Sequence, residues 1–286
     1  MSLSESQRHY PSEPGIANSM QVKFVKMHGI GNDFMLVEWP AGRPPPEPGL
    51  VRAWGDRRRG VGFDSLLLVE RGGRYRVFNA DGGEAEQCGN GARCIAAYLA
   101  DGSPTEIELT SVAGPVGTRV LERGIVAINL GEPDFRPESL PFAAEAAADS
   151  YRLELASGPV EFGIVSMGNP HAVIAVDSVE TAAVSILGRE LAAHRDFPQS
   201  VNGGFMQRLS DTRIRLRVYE RGVGETRACG TGAAAAVAVG RRWGWLAEEV
   251  EVSLPGGVLT VRWPGPGSPL WQTGPTTQVY EGRIEL

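Results

Sequence analysis

The stretch Arg76-Val77-Phe78-Asn79-Ala80-Asp81-Gly82-Gly83-Glu84-Ala85-Glu86-Gln87-Cys88-Gly89-Asn90-Gly91-Ala92 occurs twice in this chain. Its second copy reads Arg217-Val218-Tyr219-Glu220-Arg221-Gly222-Val223-Gly224-Glu225-Thr226-Arg227-Ala228-Cys229-Gly230-Thr231-Gly232-Ala233. The copies align without a gap, 141 residues apart. In each, a run of β-branched and aromatic residues reads as a strand. A glycine-rich turn, Cys-Gly-x-Gly and a small apolar run follow. The apolar runs, Ala92 to Ala100 and Ala233 to Gly240, read as helices. Both cysteines are therefore expected at a helix mouth. The first N–H groups of a helix lack internal partners and carry partial positive charge. Such a mouth binds carboxylates and is expected to lower a cysteine pKa. Glycine lets the backbone approach a ligand without a Cβ in the way.

Two cysteines so placed, one per lobe, suit a symmetric acid–base pair. A thiolate on one side takes a proton from carbon, and a thiol on the other returns one to the opposite face, which inverts a stereocentre. The alternative for a free cysteine is a small buried hydrophobe. Repetition of the slot in a glycine turn favours chemistry for Cys88 and Cys229. Cys94 has Ala235 in the matching slot and reads as a core residue. Cys88 and Cys94 do not have Cys-x-x-Cys spacing, so no metal is expected.

With Met27-His28-Gly29-Ile30-Gly31-Asn32-Asp33-Phe34 and Gly168-Asn169-Pro170-His171, the two cysteine turns make the sequence resemble the diaminopimelate epimerase family from about Met20 to Leu286. The resemblance implies an α+β fold of two pseudo-symmetric lobes, each a β-sheet wrapped around a central helix. It also implies interconversion of LL- and meso-diaminopimelate, on the route to lysine and, in bacteria, to peptidoglycan precursors. Residues carried over as substrate-binding are Asn32, Asn79, Gly89, Asn90, Asn169, Asn202, Glu220, Arg221, Gly230 and Thr231. Backbone N–H groups of Gly89, Asn90, Gly230 and Thr231 would hold the reacting carboxylate, and Arg221 the distal one. His171 and Glu220 are implied to tune the thiols. Ser65 stands where many members carry glutamine, and is kept as a shorter candidate contact. The resemblance also suggests a homodimer, with Tyr280 at the contact.

At 286 residues the length suits about two domains. Residues 1–20 are polar and aperiodic and read as a disordered extension. The expected division is 21–130 for the first lobe, 131–275 for the second, and 276–286 returning to the first. A composition 42% hydrophobic and 22% charged is that of a globular protein. A net charge of −6 weighs against nucleic acid. No apolar run is long enough to span a membrane, and no secretory signal is evident. Three cysteines make no disulfide framework and fit a reducing cytoplasm. Lys23 and Lys26 are the only lysines, and both fall in one predicted strand. A pyridoxal Schiff base is therefore disfavoured, and no cofactor is expected.

Further strands are expected at Val22 to Lys26, Met35 to Glu38, Leu66 to Glu70, Glu106 to Thr110, Thr118 to Asn129 with a turn at Arg123-Gly124, Tyr151 to Ala156, Val160 to Ser166, Ala172 to Val176 and Phe205 to Leu209. A hairpin is expected over Glu249 to Trp263, turned at Pro255-Gly256-Gly257, and helices over Val51 to Arg59 and Thr181 to His194. In the strand Arg213 to Tyr219, Ile214, Leu216 and Val218 alternate with three arginines, which gives one dry and one wet face. The rival readings are a proline or hydroxyproline racemase of the same fold, a non-catalytic amino-acid binding protein, and a cysteine hydrolase. Arg221 and the asparagine set favour a long substrate with a second charged end. A hydrolase would leave the duplicated turn unexplained.

Overall fold

The computed structural model describes residues 21–144 and 146–285. The expected extension over 1–20 and the final residue Leu286 lie outside them. Four α-helices are described: α1 (Pro48–Gly55), α2 (Gly89–Leu99), α3 (Val184–Ala192) and α4 (Gly230–Arg242). The remainder is dominated by two sheets.

The first sheet has six strands, in the spatial order Thr277–Glu285, Gln21–Gly29, Asn32–Glu38, Ser65–Val69, Tyr75–Asn79, Glu84–Ala85. The last strand of the chain therefore pairs antiparallel with the first described one, Gln21 opposite Glu285. The second sheet has twelve strands and is continuous across both halves of the chain. Its order runs Thr105–Ser111, Gly114–Glu122, Ile125–Asn129, Trp271–Pro275, Gly257–Arg262, Glu249–Leu254, Arg213–Glu220, Asn202–Arg208, Pro170–Ala175, Gly158–Ser166, Tyr151–Leu155. The short strand Gly224–Thr226 pairs with Arg213–Glu220 off this path. The strand Trp271–Pro275, not among those expected from sequence, links the halves by pairing with Ile125–Asn129 on one side and Gly257–Arg262 on the other.

Each half wraps sheet around one helix. α2 buries Ala92, Cys94, Ile95 and Ala96 against Val25, Phe34, Leu67, Val77, Val116, Val126 and Ile128. α4 buries Ala233 through Val239 against Val165, Val173, Leu216, Val218, Val252 and Val261. Small side chains on α4 let strands approach from all round, which accounts for its alanine-rich sequence. Burying such apolar surface stabilises the fold by about 25 cal/mol per Å². The remaining faces are covered by α1, through Val51 and Trp54, and by α3, through Val184 and Leu191. In the arginine strand, Ile214, Leu216 and Val218 are buried as the alternation predicts.

Differences from the sequence reading are local. α1 begins at Pro48, ahead of the expected start at Val51, and stops at Gly55, short of the expected Arg59. Proline is favoured at the first position of a helix, and the sequence reading had placed it outside. α3 spans 9 residues, Val184–Ala192, rather than the full predicted run. Glu84–Ala85 and Gly224–Thr226, expected as turns, fold back as short strands on Tyr75–Asn79 and Arg213–Glu220.

One strained turn joins the halves. Ile30 adopts φ 47°, a region costly for a β-branched residue, and it packs into the core formed around α4. Opposite it, a Cβ on Gly256 would lie 2.0 Å from the Ile30 carbonyl oxygen. The first-half turn Ile30-Gly31 thus plugs onto the second-half hairpin tip, with Asn32 two residues beyond it. Gly256 N–H donates to the Arg227 carbonyl at 2.8 Å, beside the second cysteine turn.

Candidate active site

Cys88 and Cys229 occupy matching places. Each is the N-cap of its helix in an extended conformation, with φ −142° for Cys88 and −118° for Cys229. Gly91 N–H donates to Cys88 Sγ at 3.4 Å, and Gly232 N–H donates to Cys229 Sγ at 3.3 Å. The cysteine thus does what a serine or aspartate cap does, satisfying an orphan N–H of the first turn. A Cβ on Gly91 would meet Leu67 Cδ2 at 2.9 Å, and one on Gly232 would meet Cys229 Sγ at 3.1 Å. Glycine is required in both turns because the sulfur and the sheet come so close.

The two helix mouths abut. A Cβ on Gly230 would lie 2.9 Å from Gln272 Oε1 and 3.6 Å from Asn90 Oδ1. Asn90 in the first turn of α2 thus lies against Gly230 in the first turn of α4, so the two helix mouths meet from opposite halves.

Around Cys88, the S–H donates to Asn32 Oδ1 at 3.8 Å, and Asn90 Nδ2 donates to the same oxygen at 3.2 Å. Asp64 fixes the orientation of that amide by accepting from Asn32 Nδ2 at 3.0 Å. Behind it, the Asp33 carboxylate takes Lys26 Nζ at 2.5 Å and Arg57 Nη2 at 2.8 Å, which holds it well below the usual carboxylate range. Lys26 also donates to the Gly62 carbonyl. Ser65 is buried and stands opposite Asn79 in the sheet register. Asn79 itself is exposed at the end of its strand.

Around Cys229, Thr231 Oγ1 lies 3.7 Å from the sulfur and accepts from Asn169 Nδ2 at 3.4 Å. His171 is fully buried and donates from Nε2 to Asn169 Oδ1 at 3.0 Å. Burial, with Arg221 adding to it, pushes His171 down to about 3, so the ring is neutral at neutral pH. Glu220 accepts a short 2.5 Å bond from Thr226 Oγ1, and burial raises its carboxyl. That carboxylate stands close enough to Cys229 to help raise its thiol. Asn202 donates to the Pro170 carbonyl at 3.1 Å and accepts from Arg221 N–H at 2.9 Å. Both ends of its amide are thus spent on backbone, and it sets where Arg221 leaves the strand. The Arg221 side chain is exposed and donates to the Gln199 carbonyl at 3.2 Å.

The expected low thiol pKa is not found. Burial raises Cys88, and the Gly91 N–H and Arg93 only partly offset it. Burial and then Glu220 raise Cys229 well above the ordinary value. The helix mouths do pull both values down, but desolvation of a charged sulfur outweighs a few N–H dipoles. Both groups are thiols in this closed arrangement. Cys94 lies in the core around α2, and burial pushes it up to about 12.

Two site residues escaped the sequence reading. Arg93 is fully buried and donates to Asn90 Oδ1 at 2.6 Å and to Gln272 Oε1 at 2.8 Å. Gln272, also fully buried, donates to the Gly230 carbonyl at 2.7 Å. An arginine among the small apolar residues of α2 is the sequence feature that points to it.

The architecture is that of a racemase and epimerase fold. A hydroxyproline epimerase from Agrobacterium vitis superposes with a TM-score of 0.68 at 17% identity, over 93% of each chain. A phenazine biosynthesis protein from Bacillus anthracis does so with a TM-score of 0.64 at 16% identity, over 93% of this chain and 100% of its own. At those identities the fold is what is shared. The sequence is more specific: the family model for diaminopimelate epimerase matches residues 24–135 and 163–279. Diaminopimelate epimerases of Ectopseudomonas mendocina (strain ymp) and Pseudomonas aeruginosa (strain UCBPP-PA14) are each 47% identical over 276 residues, spanning 93% of this chain and 100% of theirs. The chain belongs to the diaminopimelate epimerase family.

Proposed function

We propose that this chain epimerises diaminopimelate between its LL and meso forms, using Cys88 and Cys229 as a two-base pair. The family membership supports the substrate. The observation that carries the mechanism is the pair of matched thiols capping two helices whose first turns meet. The α-carboxylate sits on the N–H groups of Gly89, Asn90, Gly230 and Thr231, which also stabilise the charge that develops as the α-proton leaves. A thiolate on one side takes that proton and becomes a thiol. The opposite thiol protonates the other face and becomes the thiolate. The atoms balance, and the enzyme returns with its sulfurs exchanged. A raised thiol pKa serves this reaction, because the weakly acidic α-carbon demands a strong base once the proton is off sulfur. Arg221 takes the distal carboxylate, Asn32, Asn79 and Asn169 line the pocket with Ser65 as a further contact, and His171 and Glu220 shape the field at Cys229. This proton relay needs no organic cofactor or metal.

Turnover in heavy water tests this. Cys88→Ala and Cys229→Ala each abolish both inversion and deuterium incorporation at the α-carbon. Undiminished inversion by either variant removes the two-base scheme.

The thiol pair requires a reducing compartment, consistent with the cytoplasm. No helix among the described residues is long and apolar enough to cross a membrane. The enzyme acts as a homodimer through the outer edge of the first sheet, the strand Thr277–Glu285. Val279 and Tyr280 there are 54% and 45% exposed, and an open apolar edge invites pairing with another copy. Sedimentation velocity is expected to give a dimer that Tyr280→Asp dissociates; a monomeric wild-type protein at micromolar concentration defeats this part.

A further inference from the structure

Arg93 is the least ordinary charge in the molecule. No part of it is exposed. Among the described residues no carboxylate meets it, and its Nε has no hydrogen-bond partner. A buried cation without an anion is costly, and the matching slot on the second helix holds Ala234. The other polar contacts of the guanidinium are neutral amides, Asn90 and Gln272. Those amides connect it to the reacting groups. Asn90 donates to Asn32 Oδ1, the atom to which the Cys88 S–H also donates. Gln272 reaches the Gly230 carbonyl at the mouth of the other helix. Gly29 and Gly274 leave room for it, since a Cβ on either would come within 3.4 Å or less of the guanidinium.

We propose that Arg93 is a positioning residue, the fixed counter-charge behind the Cys88 thiolate, linked to it through Asn90 and Asn32 while tying the two helix mouths together through Asn90 and Gln272. This rests on the assignment of Cys88 as one of the two bases. It makes the pair electrically unequal: a cation backs Cys88, and the Glu220 carboxylate stands at Cys229. When one of the two sulfurs ionises, the charge therefore falls on Cys88 and Cys229 stays protonated. Other groups around Cys88 do not supply this bias. Cys94 on its own helix and Tyr75 on the strand Tyr75–Asn79 are held neutral by burial. Lys26 on the strand Gln21–Gly29 is taken by Asp33 on the neighbouring strand. His28 lies on that same strand, and Glu220 acts from the other half in the opposite sense.

The test is the pH midpoint for alkylation of Cys88 by iodoacetamide in the full chain, scored by peptide mass spectrometry so that Cys94 and Cys229 are read separately. Arg93→Gln is expected to raise the midpoint by about one unit or more, and Arg93→Lys to restore most of it. Gln272→Glu places an anion on the guanidinium and is expected to raise the midpoint too, which serves if Arg93→Gln does not fold. A merely structural role would lower the melting temperature and leave the midpoint in place. An unmoved midpoint in the folded Arg93→Gln or Gln272→Glu protein overturns the proposal. The readout is independent of turnover: an active Cys88→Ala enzyme would refute the two-base scheme while leaving the midpoint comparison intact.

Discussion

Gly89 and Gly230 are the same residue of the repeat, each at the first position of its helix, yet the structure predicts opposite results for alanine at the two. A Cβ on Gly89 would touch only Leu130 Cδ2 at 3.7 Å and Ile128 Cδ1 at 3.9 Å, which is ordinary van der Waals contact. A Cβ on Gly230 would press to 2.9 Å from Gln272 Oε1. Gln272 cannot yield cheaply, because that oxygen accepts from Arg93 and its amide nitrogen donates to the Gly230 carbonyl. Replacing glycine by alanine in a helix is by itself worth roughly 0.5–1 kcal/mol, and this term cancels between the two variants. What remains is overpacking, at about 1–3 kcal/mol. At about 2–4 °C per kcal/mol, Gly230→Ala should melt roughly 2–12 °C below Gly89→Ala. Differential scanning calorimetry on both proteins measures this. Equal melting temperatures, or a more stable Gly230→Ala, would show that the helix mouths do not meet as described and would undo the reasoning on the site.

Two other outcomes follow from buried charge. His171 has its folded-state pKa depressed to about 3, so the unfolded chain binds the proton first as pH falls below about 6.5. Stability at this residue is therefore full above that value and lost toward pH 3, at up to about 1.4 kcal/mol per unit; urea melts of His171→Gln should show a flatter acid limb, and an unchanged limb sinks the assignment. Asp33→Ala strands Lys26, a nearly buried ammonium whose carboxylate it removes, at a cost of about 3–5 kcal/mol. The double variant Lys26→Met with Asp33→Ala should recover most of that loss, and a double variant no better than the single would count against the ion pair.

Much of the fold was readable because it is repetitive. Cys-Gly-x-Gly between a strand and a small-residue helix occurs twice, and the alternation of Ile214, Leu216 and Val218 with arginines marks one wet and one dry face. What escaped depends on contacts distant in sequence. Trp271–Pro275 carries no alternation and holds a glycine and a proline, so nothing local marks it as a strand; it is one because neighbours on both sides supply hydrogen bonds. Arg93 and Gln272 meet across 179 positions of sequence, and neither residue type reveals that by itself. The thiol environment was misjudged for a related reason. The helix mouth is a local feature that sequence displays, whereas the burial that outweighs it exists only once the halves close on each other.

The pairing of Gln21–Gly29 with Thr277–Glu285 bears on how the molecule is made. During synthesis, the leading half leaves the ribosome long before its own border strand has been translated. In the second sheet, Ile125–Asn129 also waits for Trp271–Pro275. Neither half can finish alone, and such sequence-distant closure is intrinsically slow. A nascent chain stalled midway would therefore present an open β-edge, and a gene split between the halves would yield fragments that complete each other only when produced together.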